Sequence, residues 1–275
     1  MIVDYHMHLR GPAEGREGPI DHRVVAVEPY VETAAARGVD EIGFTEHLYY
    51  FRQARDLCTV PYQTARCRYD LEAYCDAVGE AKGRGLPVRL GVEVDYVAGR
   101  EAEIAEALAP YPWDFVVGSV HWLDGEAVDI EPGVWSSLPV EEVWRRYFVA
   151  LRGLARSGLA DVLAHPDLPK IFGRRPQEDE LAFLYEETAD AIEAAGVAVE
   201  VSTAGLRKPV GELYPAPEFL QRCRARRIGA TTASDAHVFR DVGRDFDQAV
   251  DLMRAAGYET VTVFEGRQSR QEPLG

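Results

Sequence analysis

The stretch Ile2-Val3-Asp4-Tyr5-His6-Met7-His8 reads as a strand ending in a metal clamp. In an extended segment alternate side chains share a face, so His6 and His8 offer two imidazoles to one site while Met7 faces the packing side. A lone His-x-His is weak evidence, because two ordinary surface histidines near a terminus look the same. The remaining histidines add the weight. Of seven in the chain, His121 and His165 stand one residue past a predicted strand, His47 and His237 follow within a few residues of one, and His22 alone lies in a loop.

Beyond that first strand, strand and helix alternate. Apolar runs predict strands over 2–8, 41–45, 88–94, 115–120, 161–164, 197–201 and 229–233. Helical patterns between them cover 29–37, 70–82, 100–108, 140–156, 179–195, 217–226 and 245–256. An eighth apolar run, 260–264, is expected as a closing or edge strand. The aromatic, Arg-rich connection 48–68 has the length of a lid or substrate loop. Crossover helices between strands imply a parallel sheet, and seven or eight such units without a linker imply a closed α/β barrel, TIM-like, with 1–275 as one domain. In such barrels the chemistry sits at the carboxyl ends of the strands, where nearly every histidine here falls. A doubly wound open sheet is the alternative. It would spread these side chains along an edge, and its Gly-rich phosphate turn after the first strand is absent.

Bulk composition removes several classes of function. A hydrophobic fraction of 47% beside 28% charged residues is ordinary for a folded domain. A net charge of −16 repels polyanions, so nucleic acid is not an expected partner. Cys58, Cys67, Cys75 and Cys223 form no Cys-x-x-Cys pair and no dense disulfide framework, and reduced thiols in a cytoplasm are expected. No secretory signal and no apolar run of roughly 18 residues is present, so no membrane span is expected. Nothing in the sequence specifies an oligomeric state.

The candidate ligands are therefore His6, His8, His22, His47, Glu93, His121, His165, Asp235 and His237. Imidazoles mixed with carboxylates suit Zn, Mn or Fe, whereas oxygen ligands alone would suit Ca or Mg. The set is too large for one ion. Two or three ions sharing a carboxylate would use it, and Glu93, on a strand between those that supply the others, is the natural bridge. Taken singly, each His is more often a hydrogen-bonded rim residue and Glu93 a buried ion-pair partner; their joint placement on one rim is what argues for metal.

These residues fall in order into recognisable motifs. Asp4-x-His6-x-His8, Thr45-Glu46-His47, Glu93, Gly118-Ser119-Val120-His121, Ala164-His165-Pro166-Asp167 and Ser234-Asp235-Ala236-His237 resemble the successive motifs of the PHP (polymerase and histidinol phosphatase) superfamily. Asp167-Leu168-Pro169-Lys170 and Thr203-Ala204-Gly205-Leu206-Arg207 are most similar to its monofunctional histidinol-phosphate phosphatases. The resemblance implies a distorted (β/α)7 barrel, the PHP fold, holding three divalent ions. One would take His6, His8, Glu93 and Asp235, the second Glu93, His121 and His165, and the third His22, His47 and His237. The family's loop histidine usually lies nearer the first pair; here His22 stands 14 residues beyond His8, and Gly11 to Asp21 reads as an insertion. If His22 is instead a surface residue, the third site is weaker or completed by solvent.

The chemistry expected of such a centre is phosphate-ester hydrolysis. Two metals a few ångströms apart lower the pKa of a shared water and clamp phosphate oxygens for in-line attack. No Gly-x-Ser-x-Gly elbow competes with this reading. Glu93 and Asp235 act at the ions, and Asp167 is a candidate acid for the leaving alkoxide, with an equally plain role as a partner of His165 or a turn cap. An acidic protein needs local cations for phosphate. Lysine occurs only at Lys82, Lys170 and Lys208, and Arg207 and Lys170, with Arg174 behind them, are the expected phosphate ligands. Glu46 and Trp122, with Tyr49 and Tyr50, are placed to meet an amine and an imidazole, although aromatic residues at strand ends equally serve as rim packing. Three functions fit: hydrolysis of L-histidinol phosphate, hydrolysis of another small phosphate ester or nucleotide, and a non-catalytic metal-binding module.

Overall fold

The computed structural model describes residues 1–11 and 18–275. One seven-stranded parallel sheet runs in chain order through β1 (Val3–Asp4), β2 (Glu41–His47), β3 (Val88–Asp95), β4 (Phe115–Ser119), β5 (Val162–Leu163), β6 (Ala198–Ser202) and β7 (Ala230–Ala233). Its two edges meet. Tyr5 N–H donates to Thr232 O at 3.1 Å, His8 N–H donates to Ala236 O at 2.8 Å, and Met7 bridges Ala236 in parallel. The sheet is thus a nearly closed (β/α)7 barrel.

The helices lie outside it as α1 (Glu28–Ala36), α2 (Pro61–Arg66), α3 (Leu71–Gly83), α4 (Glu101–Leu108), α5 (Val140–Arg156), α6 (Glu178–Ala195), α7 (Pro217–Ala225) and α8 (Phe246–Ala255). Local sequence explains their ends. The Asp70 carboxylate accepts from Glu72 N–H at 3.0 Å and caps α3, and Gly196, at φ 71°, closes α6 in the left-handed region. On α5, Val143, Trp144, Tyr147, Phe148, Leu151 and Leu154 make the buried stripe that sets it against the sheet. The long connection after β2 contains α2 and short 3-10 turns. Among the described residues, no helix is long and apolar enough to cross a membrane.

Strand alternation sorts the barrel wall into two faces. Ile42 and Phe44 of β2 and Leu90, Val92 and Val94 of β3 pack outward under the helices. Gly43 and Gly91 face inward, and a Cβ there would lie 2.5 and 2.8 Å from Phe115 Cζ. Only glycine leaves room for the Phe115 ring. In the first segment the alternation slips. Val3 and Tyr5 belong to the interior cluster and Met7 to the outer one, yet His6 also turns inward, so regular pairing stops at Asp4 rather than continuing to His8. The Asp4 carboxylate latches this break by accepting from Ser234 N–H and Gly243 N–H, both at 2.8 Å.

The run 260–264 is not a barrel strand, contrary to expectation. Thr260–Glu265 pairs antiparallel with Gln268–Pro273 outside the seven-stranded sheet. Its Val261, Val263 and Phe264 pack with Val3, Tyr5, Phe115 and Val117, plugging the amino-terminal mouth of the barrel. The apolar run is satisfied by this end-on burial, which strand periodicity alone does not distinguish from wall formation.

Candidate metal centre and substrate pocket

At the opposite mouth, β3 presents Glu93, 1% exposed, to a ring of imidazoles. Its Oε2 lies 2.6 Å from His47 Nδ1, 3.3 Å from His6 Nε2 and 3.7 Å from His8 Nε2. Its Oε1 lies 3.5 Å from His121 Nε2 and 3.6 Å from His165 Nε2, and it also accepts from the Ser119 hydroxyl. Asp235 Oδ1 stands 3.4 Å from His8 Nε2, 3.7 Å from His6 Nε2 and 3.7 Å from His237 Nδ1. Two of these residues sit in the left-handed region, His165 at φ 26° and Asp235 at φ 51°. Such backbone costs of order 1–3 kcal/mol per residue and persists where surrounding structure imposes it.

Carboxylates behind the ring aim it. Glu200 Oε2 accepts from His6 Nδ1 at 2.7 Å, and Asp95 Oδ1 accepts from His121 Nδ1 at 2.7 Å. With Nδ1 committed to that hydrogen bond, Nε2 of each ring is the atom left to face Glu93 and, once its own proton is displaced, an ion. Burial alone raises a carboxyl's pKa, but His47, His6 and His121 hold Glu93 well below the usual carboxylate range. Burial is likewise overcome at Asp235, which His6, His8 and His237 hold well below its usual range. Burial works against charge at His121 too, yet Asp95 and Glu93 push it up to about 10. Burial and the neighbouring His8 keep His237 below its ordinary value; burial does the same to His47 despite Glu93.

This donor set fits divalent ions. His6 Nε2, His8 Nε2 and Glu93 Oε2 are buried with no hydrogen-bond partner, an arrangement costing about 1–3 kcal/mol per atom unless a ligand takes them. Three overlapping groups could each hold an ion: His6, His8 and Glu93; His47, Glu93 and His121; and His8, His47 and His237. His22 is in none of these three groups, although its Nε2 is likewise buried with no hydrogen-bond partner among the described residues. Its ring sits 5.4, 5.5 and 5.2 Å from those of Phe51, Tyr69 and Tyr74, and its Nε2 is 3.9 Å from Glu46 Oε1. His8 lies beside His47 and His237, with ring centroids 4.4 and 4.2 Å away. In the loop, Arg10 bridges Ile20 antiparallel and Gly11 N–H donates to Pro19 O at 2.8 Å. His22 then re-enters on the far side of Glu46. Residues 12–17 of the expected insertion lie outside the described residues.

The centre forms the floor of an open cavity of about 680 Å³. Trp122, Tyr49, Tyr50 and Arg207 line it, and so do Arg66, Lys208 and Arg244. Arg207 donates to Ser234 O and Thr203 O and lies 4.0 Å from Asp241. Lys170 is not on this wall, contrary to expectation. It is fully buried, 2.8 Å from Asp167 Oδ2, and donates to Leu213 O at 2.6 Å. Asp167 also accepts from Ala216 N–H at 2.8 Å, so the pair ties the turn after His165 to the segment before α7 instead of offering an acid to substrate. Arg174 is turned away, paired with Glu131 at 2.5 Å and set over the Trp135 ring. Glu46 is fully buried beneath His8 and paired with Arg10, so it cannot meet substrate directly. Sequence reading missed Glu200 and Asp95, although each is a carboxylate at an inward position of an apolar strand, a place where charge needs a partner.

Comparison with known proteins agrees with this geometry. The family model described as PHP domain matches residues 20–204. A probable histidinol-phosphatase of Deinococcus radiodurans is 33% identical over 281 residues, covering 99% of each chain. The histidinol-phosphatase of Bacillus subtilis is 27% identical, covering 79% of this chain and 89% of its own. Among solved structures, histidinol phosphate phosphatase from Lactococcus lactis, crystallised with Zn, L-histidinol and phosphate, superposes with a TM-score of 0.78 at 21% identity, covering 98% of each chain. A barrel closed by its own first segment, a carboxylate set among imidazoles at its carboxyl mouth and end-to-end similarity to the Deinococcus protein lead to one conclusion: this chain belongs to the PHP domain family.

Proposed function

We propose that this chain is a metal-dependent phosphomonoesterase that hydrolyses L-histidinol phosphate to L-histidinol and phosphate, a step in histidine biosynthesis. The observation that carries the reading is one arrangement: a carboxylate shared by five imidazoles on the floor of an open cavity whose wall carries Arg207 and Lys208. The Deinococcus relative supports the choice of ester. The site uses residues from both arms of the chain, His6 and His237, which supports treating 1–275 as one functional unit. All four cysteines are free, which suits the reducing cytoplasm we propose for it. A net charge of −16 favours a small ester over a nucleic acid.

Ions of the Zn, Mn or Fe type would be held by His6, His8, Glu93 and Asp235, by Glu93, His121 and His165, and by His47 and His237 with His8 beside them. When bound, they supply a water of lowered pKa and electrophilic contacts to phosphate oxygens. The chain's own residues do the rest. Glu200 and Asp95 hold the Nδ1 protons of His6 and His121 and so keep both rings in register. Arg207, anchored to two backbone carbonyls, and Lys208 receive the phosphate. The Tyr62 and Trp122 rings, 5.4 Å apart, offer an apolar wall for an imidazole.

The test is phosphate release from L-histidinol phosphate, p-nitrophenyl phosphate and a nucleotide monophosphate by metal-reconstituted protein, with His121→Ala as control. A large preference for histidinol phosphate that is lost in the variant is expected. Similar weak rates on all three would leave the phosphoesterase chemistry and overturn the substrate. No release from metal-loaded protein would overturn both in favour of a binding module.

A further inference from the structure

The segment after β4 carries a carboxylate for which the metal centre has no use. Trp122–Leu123 pairs antiparallel with Glu126–Ala127, Val128 N–H donates to His121 O at 2.9 Å, and Trp135 Nε1–H donates to Val128 O at 2.8 Å. This small hairpin brings the chain back beside His121 and sets Asp129 on the cavity wall. The charge of Asp129 is felt at His121, adding to Asp95 and Glu93 in raising that imidazole's pKa.

The other acids around the cavity are engaged. Asp241 pairs with Arg244 at 2.9 Å and lies 4.0 Å from Arg207, while Glu93 and Asp235 face imidazoles. Arg66, the cation on the same side, sits with its guanidinium 3.4 Å from the Tyr62 ring centroid and donates to Tyr62 O at 3.2 Å. Asp129 has neither a hydrogen bond nor an ion pair among the described residues. Beside it, Ile130 is an exposed apolar side chain at the cavity edge, 42% accessible. The phosphate-binding cations stand elsewhere, Arg207 and Lys208 after β6 and Arg244 after β7, two and three strands further round the barrel. The cavity therefore has Arg207, Lys208 and Arg244 on its β6 and β7 side and, after β4, an anion with no partner among the described residues beside Ile130.

With the phosphate on the cationic wall, Asp129 lines part of the cavity left for the alcohol portion. An unpaired carboxylate in a partly dry pocket favours a cation and rejects a neutral or anionic group. We propose that Asp129 is a specificity-determining residue that receives a cationic nitrogen on the leaving alcohol, so that the pocket selects phosphate esters of amino alcohols. This deepens the proposed function and rests on its placement of the phosphate.

The experiment compares wild type, Asp129→Asn and Asp129→Glu, all metal-reconstituted, on L-histidinol phosphate, phosphoethanolamine and amine-free p-nitrophenyl phosphate. In Asp129→Asn, the kcat/KM of each amine-bearing ester relative to p-nitrophenyl phosphate should fall about 10- to 100-fold, the range for losing a hydrogen bond to a charged group, mostly through KM. Inhibition of p-nitrophenyl phosphate hydrolysis by L-histidinol should weaken in parallel. Asp129→Glu, which keeps the charge, should retain most of both. Unchanged ratios and unchanged inhibition in Asp129→Asn would overturn the proposal, as would equal losses on all three esters. A wild type that does not prefer histidinol phosphate would overturn the proposed substrate alone, because the phosphoethanolamine ratio and L-histidinol inhibition still read Asp129.

Discussion

The two mouths of the barrel are built from the same strands and obey opposite rules. At the amino-terminal mouth Tyr5, Phe115 and Phe264 stack, with ring centroids 5.0 and 5.8 Å apart, and the terminal hairpin excludes water. At the carboxyl mouth the inward positions of β3 and β6 become Glu93, Asp95, Glu200 and Ser202, and several of their polar neighbours have no partner in the protein. Packing is complete where nothing needs to bind, and hydrogen bonding is left incomplete where something does. A barrel wall thus carries a stability end and a chemistry end, and a substitution at one should leave the other measurable.

The largest break in that contrast comes from the carboxyl end. Glu93→Gln removes the charge that the ring shares, and kcat/KM for the preferred ester should fall on the order of 10³-fold or more, with metal content reduced in elemental analysis while the far-UV circular dichroism spectrum is kept. Phe264→Ala attacks the other end. It should cost about 3–5 kcal/mol in denaturant unfolding and leave the metal content of the folded fraction unchanged; an altered content would mean that the two ends are not separate. Asp95→Asn and Glu200→Gln lie between these extremes. Each should weaken metal affinity about 10- to 100-fold in a chelator competition.

Proton linkage sharpens the same comparison. Without metal, His121 is raised from 6.5 to about 10, so its pairing with Asp95 contributes stability that is present below pH 6.5 and lost as pH rises towards 10. A metal must displace that proton, so metal affinity should run the opposite way, rising about tenfold per pH unit for each proton released, and calorimetry in buffers of different ionisation enthalpy should count the protons. Affinity independent of pH between 7 and 9 would show that His121 is not a ligand. The smallest effect is expected from His22→Ala. With His22 behind Glu46, the number of bound ions should not change; loss of one ion would show that the loop histidine reaches the third site after all.

Much of this was legible before any tertiary structure. Strand and helix order follows from period-2 and period-3.6 patterns, and the barrel follows from their alternation. His6, His47, His121, His165 and His237 come at strand ends, so local chain position already placed them on one rim. Glu200 and Asp95 were equally visible as inward acids on apolar strands, but a lone buried carboxylate does not announce its partner. What escaped was decided by loops and by contacts between distant residues. How close His22 comes to the ring of imidazoles depends on the antiparallel return of Ile20 beside Arg10. Lys170 and Arg174 looked like neighbouring rim cations, yet burial turned one towards Asp167 while exposure turned the other towards Glu131.

The sequence by itself therefore determined the barrel, the rim and the kinds of donor on it, since these depend on periodicity and residue chemistry along a short span. Only the tertiary structure decided which donors lie close enough to share an ion, which cations face the cavity, that 260–264 plugs the barrel instead of walling it, and that Asp129 has no partner among the described residues. Those are properties of residues far apart in the chain. They depend on how loops return and which charges meet when water is excluded, and no local pattern encodes that.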